Sequence, residues 1–151
     1  MAKLSEEIML AVLAPVANGQ NIIQCAYGVK QPNMLYMFPF FLLAVVPGVI
    51  MTQKLTKHYI VGLTDSHILV AEVKPKWTTL AVAISSVKSA SAYALAGLKG
   101  KTVRGESGKI FTKIEFPYEG GRFAAKFHRA FSRTNRPSAI AISEAVVAAA
   151  A

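Results

Sequence analysis

Tyr59-Ile-Val-Gly-Leu-Thr-Asp-Ser-His-Ile-Leu-Val-Ala-Glu-Val73 holds two runs of aliphatic and β-branched residues on either side of Thr64-Asp65-Ser66. Such residues suit a pleated surface and the polar triplet suits a tight turn, so residues 58–63 and 67–73 are predicted to form a hairpin. Asp65 serves as a turn former, its carboxylate accepting from nearby backbone donors. Lys74-Pro75-Lys76 breaks the pattern. Residues 79–84 and 87–95 follow as two strands or one strand bent at Ser85-Ser86. After turns at Gly97 and Gly100, residues 101–104 and 109–116 make a second hairpin through Gly105-Glu-Ser-Gly108. In its second arm Ile110, Thr112, Ile114 and Phe116 alternate with Phe111, Lys113 and Glu115, the pattern of an antiparallel sheet with one wet face.

Pro117 ends the strands, and Gly120-Gly121 leads into a predicted helix. Its apolar face is Phe123, Phe127, Ala130 and Phe131, at i, i+4, i+7 and i+8. Arg122, Lys126, Arg129 and Arg133 form a basic stripe beside that face. Asn135-Arg136-Pro137 stops this helix, and the alanine-rich stretch 135–151 remains as a tail that could add a last helix from Ser138.

On the N-terminal side, residues 4–14 read as a short amphipathic helix with Leu4, Ile8, Ala11 and Val12 on one face. Ser5 is its N-cap, Glu6 and Glu7 lie in its first turn, and Pro15 and Asn18-Gly19 end it. Residues 21–29 read as a short strand, punctuated by Gly28 and by Gln31-Pro32-Asn33. Between this strand and the first hairpin, the 18 residues from Met34 to Met51 carry no charge. A spanning helix needs about 20 apolar residues, and Pro39 and Pro47-Gly48 interrupt this one. Three readings fit: one spanning helix, a re-entrant or interfacial hairpin, or an element packed on protein. If it spans, the lysines from Lys54 onward lie on the cytoplasmic side. If strands 21–29 and 58–63 share a sheet, the chain between them must cross an even number of times, and 18 residues cannot cross twice.

The 151 residues make one domain with a 1–19 helical lead, and 53% hydrophobic against 17% charged residues excludes disorder as the main state. There are 17 basic and 8 acidic residues, for a net charge of +9. From Lys54 onward 15 bases face six acids, so the whole excess lies there and favours an anionic partner. The single Cys25 excludes an internal disulfide and a cysteine-based zinc cluster, and reads as a buried apolar side chain. No secretory signal is read, because Glu6 and Glu7 interrupt the place where its apolar stretch would begin.

The 59–73 segment resembles the hairpin of bacterial pleckstrin-homology-like (PH-like) domains, in which an aliphatic run, Leu-Thr-Asp or Leu-Thr-Asn, two residues and Leu-aliphatic follow one another. Val82-Ala-Ile-Ser-Ser-Val-Lys88 is similar to that family's aliphatic-Ile-x-x-Val strand, residues 109–116 to its last strand, and residues 122–133 to its closing helix. The likeness covers residues 20–28 and 54–134, and His67 stands where the family usually has arginine. It implies a mainly β (α+β) fold: a PH-like antiparallel barrel at 20–134 closed by a C-terminal amphipathic helix. A short N-terminal helix precedes the barrel, and a hydrophobic insert at 34–51 interrupts it.

Enzyme signatures are missing, and no catalytic residue, metal ligand set or cofactor site is read. Lys99-Gly-Lys-Thr102 imitates the end of a phosphate loop, but Leu95 stands where the first glycine is required. His58, His67 and His128 are scattered. The candidate sites are therefore surfaces. Lys74, Lys76 and Trp77 suit a membrane interface, while Lys99, Lys101 and Arg104 form a second basic loop and Arg122, Lys126, Arg129 and Arg133 the helix stripe. Phe38, Phe40, Phe41, Leu42, Leu43, Val45 and Val46 are the candidate inserting residues.

The leading expectation is a non-catalytic module on the cytoplasmic face of the cell membrane, binding anionic lipid or an acidic protein. The alternative is a cytoplasmic subunit of a larger, possibly homo-oligomeric assembly that uses 34–51 as a protein interface. A nucleic-acid-binding barrel ranks last, since Phe111, Phe116, Phe123, Phe127 and Phe131 are all assigned to the core.

Overall fold

The hairpin read around Thr64 lies at the heart of a seven-stranded antiparallel sheet. The computed structural model describes residues 5–30, 55–77, 82–118, 121–129, 131–132 and 134–151. Its elements are α1 (Glu6–Ala17), β1 (Gln24–Lys30), β2 (Lys57–Leu63), β3 (His67–Trp77), β4 (Val82–Ala94), a 3-10 turn (Leu95–Leu98), β5 (Arg104–Ser107), β6 (Phe111–Tyr118), β7 (Gly121–His128) and α2 (Asn135–Ala150). The strand order is β4-β3-β2-β1-β7-β6-β5. The mainly β reading, with a helix at each end of the chain, holds.

Strands β1 to β3 are buried on both faces, which is why they read as near-continuous apolar runs. On one side Ala26, Val61, Leu63, Ile68 and Val70 meet Ile114, Phe116, Phe123, Ala125 and Phe127 of β6 and β7, and Ala139, Ile142 and Val146 of α2. On the other, Cys25, Tyr27, Ile60, Leu69, Ala71 and Val73 lie under Met9, Leu13 and Ala17 of α1. Helix α1 starts at its Ser5 cap, whose hydroxyl accepts from the Ile8 N–H at 3.3 Å. It carries Pro15 inside and ends at left-handed Asn18. Its seat requires Gly62, where a Cβ would stand 2.5 Å from Leu13 Cδ1.

Thr64, not Asp65, organises the first turn. Its hydroxyl accepts from the His67 N–H at 3.0 Å and donates to Gln20 Oε1 at 2.6 Å, while its own N–H donates to His67 O at 2.9 Å. Strand β3 runs through Lys74-Pro75-Lys76 instead of breaking there, because past Val73 it has β4 alone as a paired neighbour. Strand β4 is the single bent strand, with register shifts that leave Ser85 and Lys88 as extra residues opposite β3. The second hairpin turns at 108–110, later than expected. Gly105 belongs to β5, where a side chain would strike Ser143 and Val147 of α2. Strand β6 continues through Pro117 to Tyr118.

The largest correction concerns residues 122–133. They hold no closing helix: Gly121–His128 is β7, with Phe123, Ala125 and Phe127 buried between the outward Arg122, Ala124, Lys126 and His128. A spacing of four is even as well as near 3.6, so Phe123 and Phe127 satisfy both periods, and tertiary pairing with β6 decides for the strand. The closing helix is the alanine-rich segment itself. Asn135-Arg136-Pro137 opens it, proline being tolerated in a first turn, and Ser138, Ala139, Ile142, Ser143 and Val146 face inward.

Between β1 and β7 the ladder has one pair, Val29↔Lys126. Two residues further down the strands, the buried Asn135 side chain takes the place of a rung. Its Oδ1 accepts from the Tyr27 N–H at 2.7 Å, and its Nδ2 donates to Tyr27 O at 3.0 Å and His128 O at 2.8 Å. Replacing it removes three hydrogen bonds to backbone groups, two of them in Tyr27 at the centre of the sheet, while His128 O keeps the Phe131 N–H at 3.2 Å. Asn135→Ala is expected to destabilise the fold by about 3 kcal/mol, seen as a lower urea midpoint, whereas a change under about 0.5 kcal/mol would show that this rung is dispensable.

Candidate functional site: cationic surfaces around the ends of β1 and β2

Lys30 and Lys57 are direct partners on the last rung of the β1–β2 ladder, so both ammonium groups project from the same face, exposed. The next strand pairs His58 with Val73, which brings Lys74 to the same level one strand further along, with Lys76 two residues on. Lys74 and Lys76 are exposed too. Like charges directly opposed across a ladder destabilise by up to about 1 kcal/mol unless an anion joins them.

The chain leaves the sheet at Lys30 and rejoins it at Lys57, its partner on that rung. The pairing of β1 with β2 thus sets both ends of the connection 31–56 side by side, while the three readings of 34–51 fall outside the described residues. Among the described residues no helix is long and apolar enough to cross a membrane. The candidate inserting residues from Phe38 to Val46 lie outside the described residues, as do Arg133 and the side chain of Trp77.

A second basic area is the wet face of β5–β7. Arg104, Glu106, Phe111, Lys113, Glu115, Arg122 and Lys126 share it, following the register of the two ladders. Phe111 is 38% exposed here, contrary to its assignment to the core, whereas Phe116, Phe123 and Phe127 are buried as expected. Several cations are occupied by protein. Arg122 donates to Thr102 O at 2.9 Å and lies 3.6 Å from Glu115, which also meets Lys113 at 3.6 Å. Arg104 sits 3.2 Å from Glu106, both largely in water, where such a pair contributes little. Lys126 stands 4.9 Å over the Phe111 ring.

The structure thus groups the expected residues differently from the sequence. Arg104 joins Arg122 and Lys126 on the wet face, and Lys74 and Lys76 join Lys30 and Lys57 at the strand ends. Lys99 and Lys101 stand apart, on a turn where the Gly100 N–H donates to Ala150 O at 3.0 Å, so their charges complement the C-terminus of α2. Arg129 follows β7, its N–H donating to Ile110 O at 3.0 Å. Sequence reading missed Lys30, Lys57 and Lys113, and the signal available was the position of Lys30 and Lys54 as the charges bounding 34–51.

On the α1 side of the sheet, the Tyr27 hydroxyl lies 2.6 Å from His58 Nδ1, and the Tyr27 ring meets Phe131 edge-on at 5.0 Å. Burial raises the phenol well above its usual range. Burial, and secondarily the charge of Lys88, lowers His58. Neither shift activates a nucleophile; both favour a neutral hydrogen-bonded pair. Burial, with a smaller push from Glu6, raises the Cys25 thiol to about 11, which leaves it unreactive in the fold. Tyr59 is pushed up to about 12 by burial and then by Glu72 and Tyr118. No group of three potential metal ligands occurs among the described residues.

No family model, curated protein or solved structure matches the chain. What the fold and its surfaces define is an antiparallel-sheet domain with cations at the ends of β1–β3 and on the outer face of β5–β7.

Because His58 is harder to protonate when folded than when unfolded, the unfolded chain binds the extra proton, and stability falls as the pH drops from 7 through and below 6.5. Urea midpoints taken between pH 7.5 and 5.5 are expected to decline less in His58→Gln than in the parent. An unchanged slope would show that the pair is not linked to folding.

Proposed function

We propose that this protein is a non-catalytic interaction module held at an anionic lipid surface, with the ends of β1, β2 and β3 turned toward the headgroups. The observation that carries the reading is the Lys30↔Lys57 rung at the two roots of an uncharged, apolar segment. Insertion of that segment supplies most of the affinity. Each lysine adds on the order of 1 kcal/mol near a negatively charged leaflet, and the opposed pair is relieved by the phosphates it meets. The long lysine stems let the ammonium groups reach headgroups while apolar neighbours lie deeper. An antiparallel sheet followed by a terminal helix is the general order of the bacterial PH-like domains that the sequence resembles and supports the reading, although the helix is at Asn135–Ala150 and not at 122–133. On it, the module sits at the cytoplasmic face of the membrane.

Lys30→Gln with Lys57→Gln tests the charge pair. Binding to vesicles of mixed phosphatidylcholine and phosphatidylserine is expected to weaken about 30-fold, from about 2 kcal/mol of lost attraction, with no change on neutral vesicles. Folding stability is expected to hold or rise slightly as the repulsion is removed. Equal loss on both vesicle types refutes an electrostatic role. In cells, retention of the parent protein on membranes through carbonate and high-salt washes agrees with insertion; release by salt as a large particle favours the assembly subunit instead.

A further inference from the structure

Strand β5 ends the sheet with β6 as its one paired neighbour, and the register shows which backbone groups its outer edge offers. The Gly108 N–H donates to Phe111 O at 2.9 Å, in line with the β5–β6 ladder, so these two residues form a hydrogen-bonded pair. Such pairs alternate along an antiparallel ladder. Glu106 and Arg104 therefore turn their N–H and C=O toward β6, while Ser107 and Gly105 turn theirs outward. The far side of β6 agrees: the Arg129 N–H donates to Ile110 O at 3.0 Å, which gives Thr112 and Ile114 to β7 and leaves Phe111, Lys113 and Glu115 for β5. Among the described residues no strand pairs with this outward edge, and unlike β4 it carries no bulge.

The edge is complementary to itself about Gly105. A twofold axis through a pair of Gly105 residues sets Arg104 against the partner's Glu106, and Glu106 against the partner's Arg104, on the wet face. A centre at Ser107 instead sets Glu106 against the partner's Gly108 and leaves Arg104 with no carboxylate. On the other face the Gly105 pair has no side chains, and Val147 of α2 stands over it: a Cβ at 105 would lie 3.0 Å from Val147 Cγ2. Val147 is a large apolar residue left 45% exposed. Residues in a hydrogen-bonded pair have Cα atoms about 5.5 Å apart, so the axis brings the two valines together and lays the two α2 helices antiparallel. Glu144, which meets no cation among the described residues, then faces the partner's Ala150. The Ala150 carbonyl accepts from the Gly100 N–H, between Lys99 and Lys101, so the acid meets two bases there.

We propose that a second copy of this chain adds to the outer edge of β5 with Gly105 paired to Gly105, giving a symmetric dimer with one continuous sheet. The Gly105 pair exchanges both N–H and C=O bonds, and Ser107 does the same with the partner's Val103. The contact is short, which suits a dimer that forms at micromolar concentration rather than an obligate one. The inference goes beyond the lipid reading and does not depend on it.

The test is sedimentation equilibrium of the full chain in density-matched nonionic detergent, which keeps the uncharged stretch 34–51 from driving association. A monomer–dimer equilibrium with a dissociation constant of about 10 µM is expected. Arg104→Glu places like charges in both cross-strand pairs and is expected to weaken the dimer about 30-fold; adding Glu106→Arg is expected to restore it, with urea midpoints showing that each variant is folded. Val147→Cys is expected to give a disulfide-linked dimer when copper(II)–phenanthroline takes the two electrons from the facing thiols, the buried Cys25 staying out of the reaction. A parent chain that is monomeric at about 200 µM overturns the proposal. So does a dimer that Arg104→Glu leaves unmoved and Val147→Cys leaves uncrosslinked, since its contact lies elsewhere on the molecule.

Discussion

The three hydrogen bonds of the Asn135 amide hold together the two halves of the sheet. Strands β2 to β4 hang from β1 on one side, and β6 and β5 hang from β7 on the other, yet β1 and β7 share a single direct pair at Val29 and Lys126. A side-chain amide has one acceptor and two donor hydrogens in a plane, so it can stand in for a residue of missing strand. Because Asn135 is also the first residue of α2, the same bonds fix where the closing helix begins. From that point α2 runs between the two parts of the sheet, and its approach to β5 is possible because position 105 has no side chain.

This arrangement decides which surfaces are left for function. With α1 on one face of β1–β3 and β6, β7 and α2 on the other, the central strands have no free face. What remains outside is the ragged end where β1, β2 and β3 finish, the outer side of β5–β7, and the long edge of β4. That edge is blunted by its two register shifts and by the exposed Lys88, features that discourage another strand from adding there. Cations that are dispersed in the sequence are gathered at the first two places. Tyr27 and His58 lie beside them as a neutral pair, locked by burial and short contact rather than poised for proton transfer.

The functional reading follows from one geometric fact about the chain: it leaves the sheet at Lys30 and rejoins it at Lys57, on a single rung. From the sequence a spanning helix, a re-entrant or interfacial hairpin and an element packed on protein were all open, and the bearing of the sheet on them depends on whether residues before the stretch belong to it. All seven residues of β1 pair with β2, from Gln24↔Leu63 to Lys30↔Lys57. The same pairing sets two exposed lysines against each other where the chain leaves and rejoins the sheet.

Much of the fold was legible in local chemistry. The Thr64 turn, the flanking strands, the Ser5-capped helix and the alternation of β6 all follow from propensity and period, which act over a few residues and need no partner. Residues 122–128 show the limit, because phenylalanines four apart fit a helix and a strand equally, and only the neighbouring β6 makes the strand. The alanine-rich end shows the converse: its outward face is nearly as apolar as its inward one, so the periodicity is faint, and α2 takes its direction from Asn135 and from the close approach at Gly105. The sequence by itself determined the β-rich class, the net charge and the uncharged stretch at 34–51. Only the tertiary structure decided that Lys30 opposes Lys57, that Phe111 faces water and that Arg122 is already occupied, because each depends on register between strands far apart in the chain.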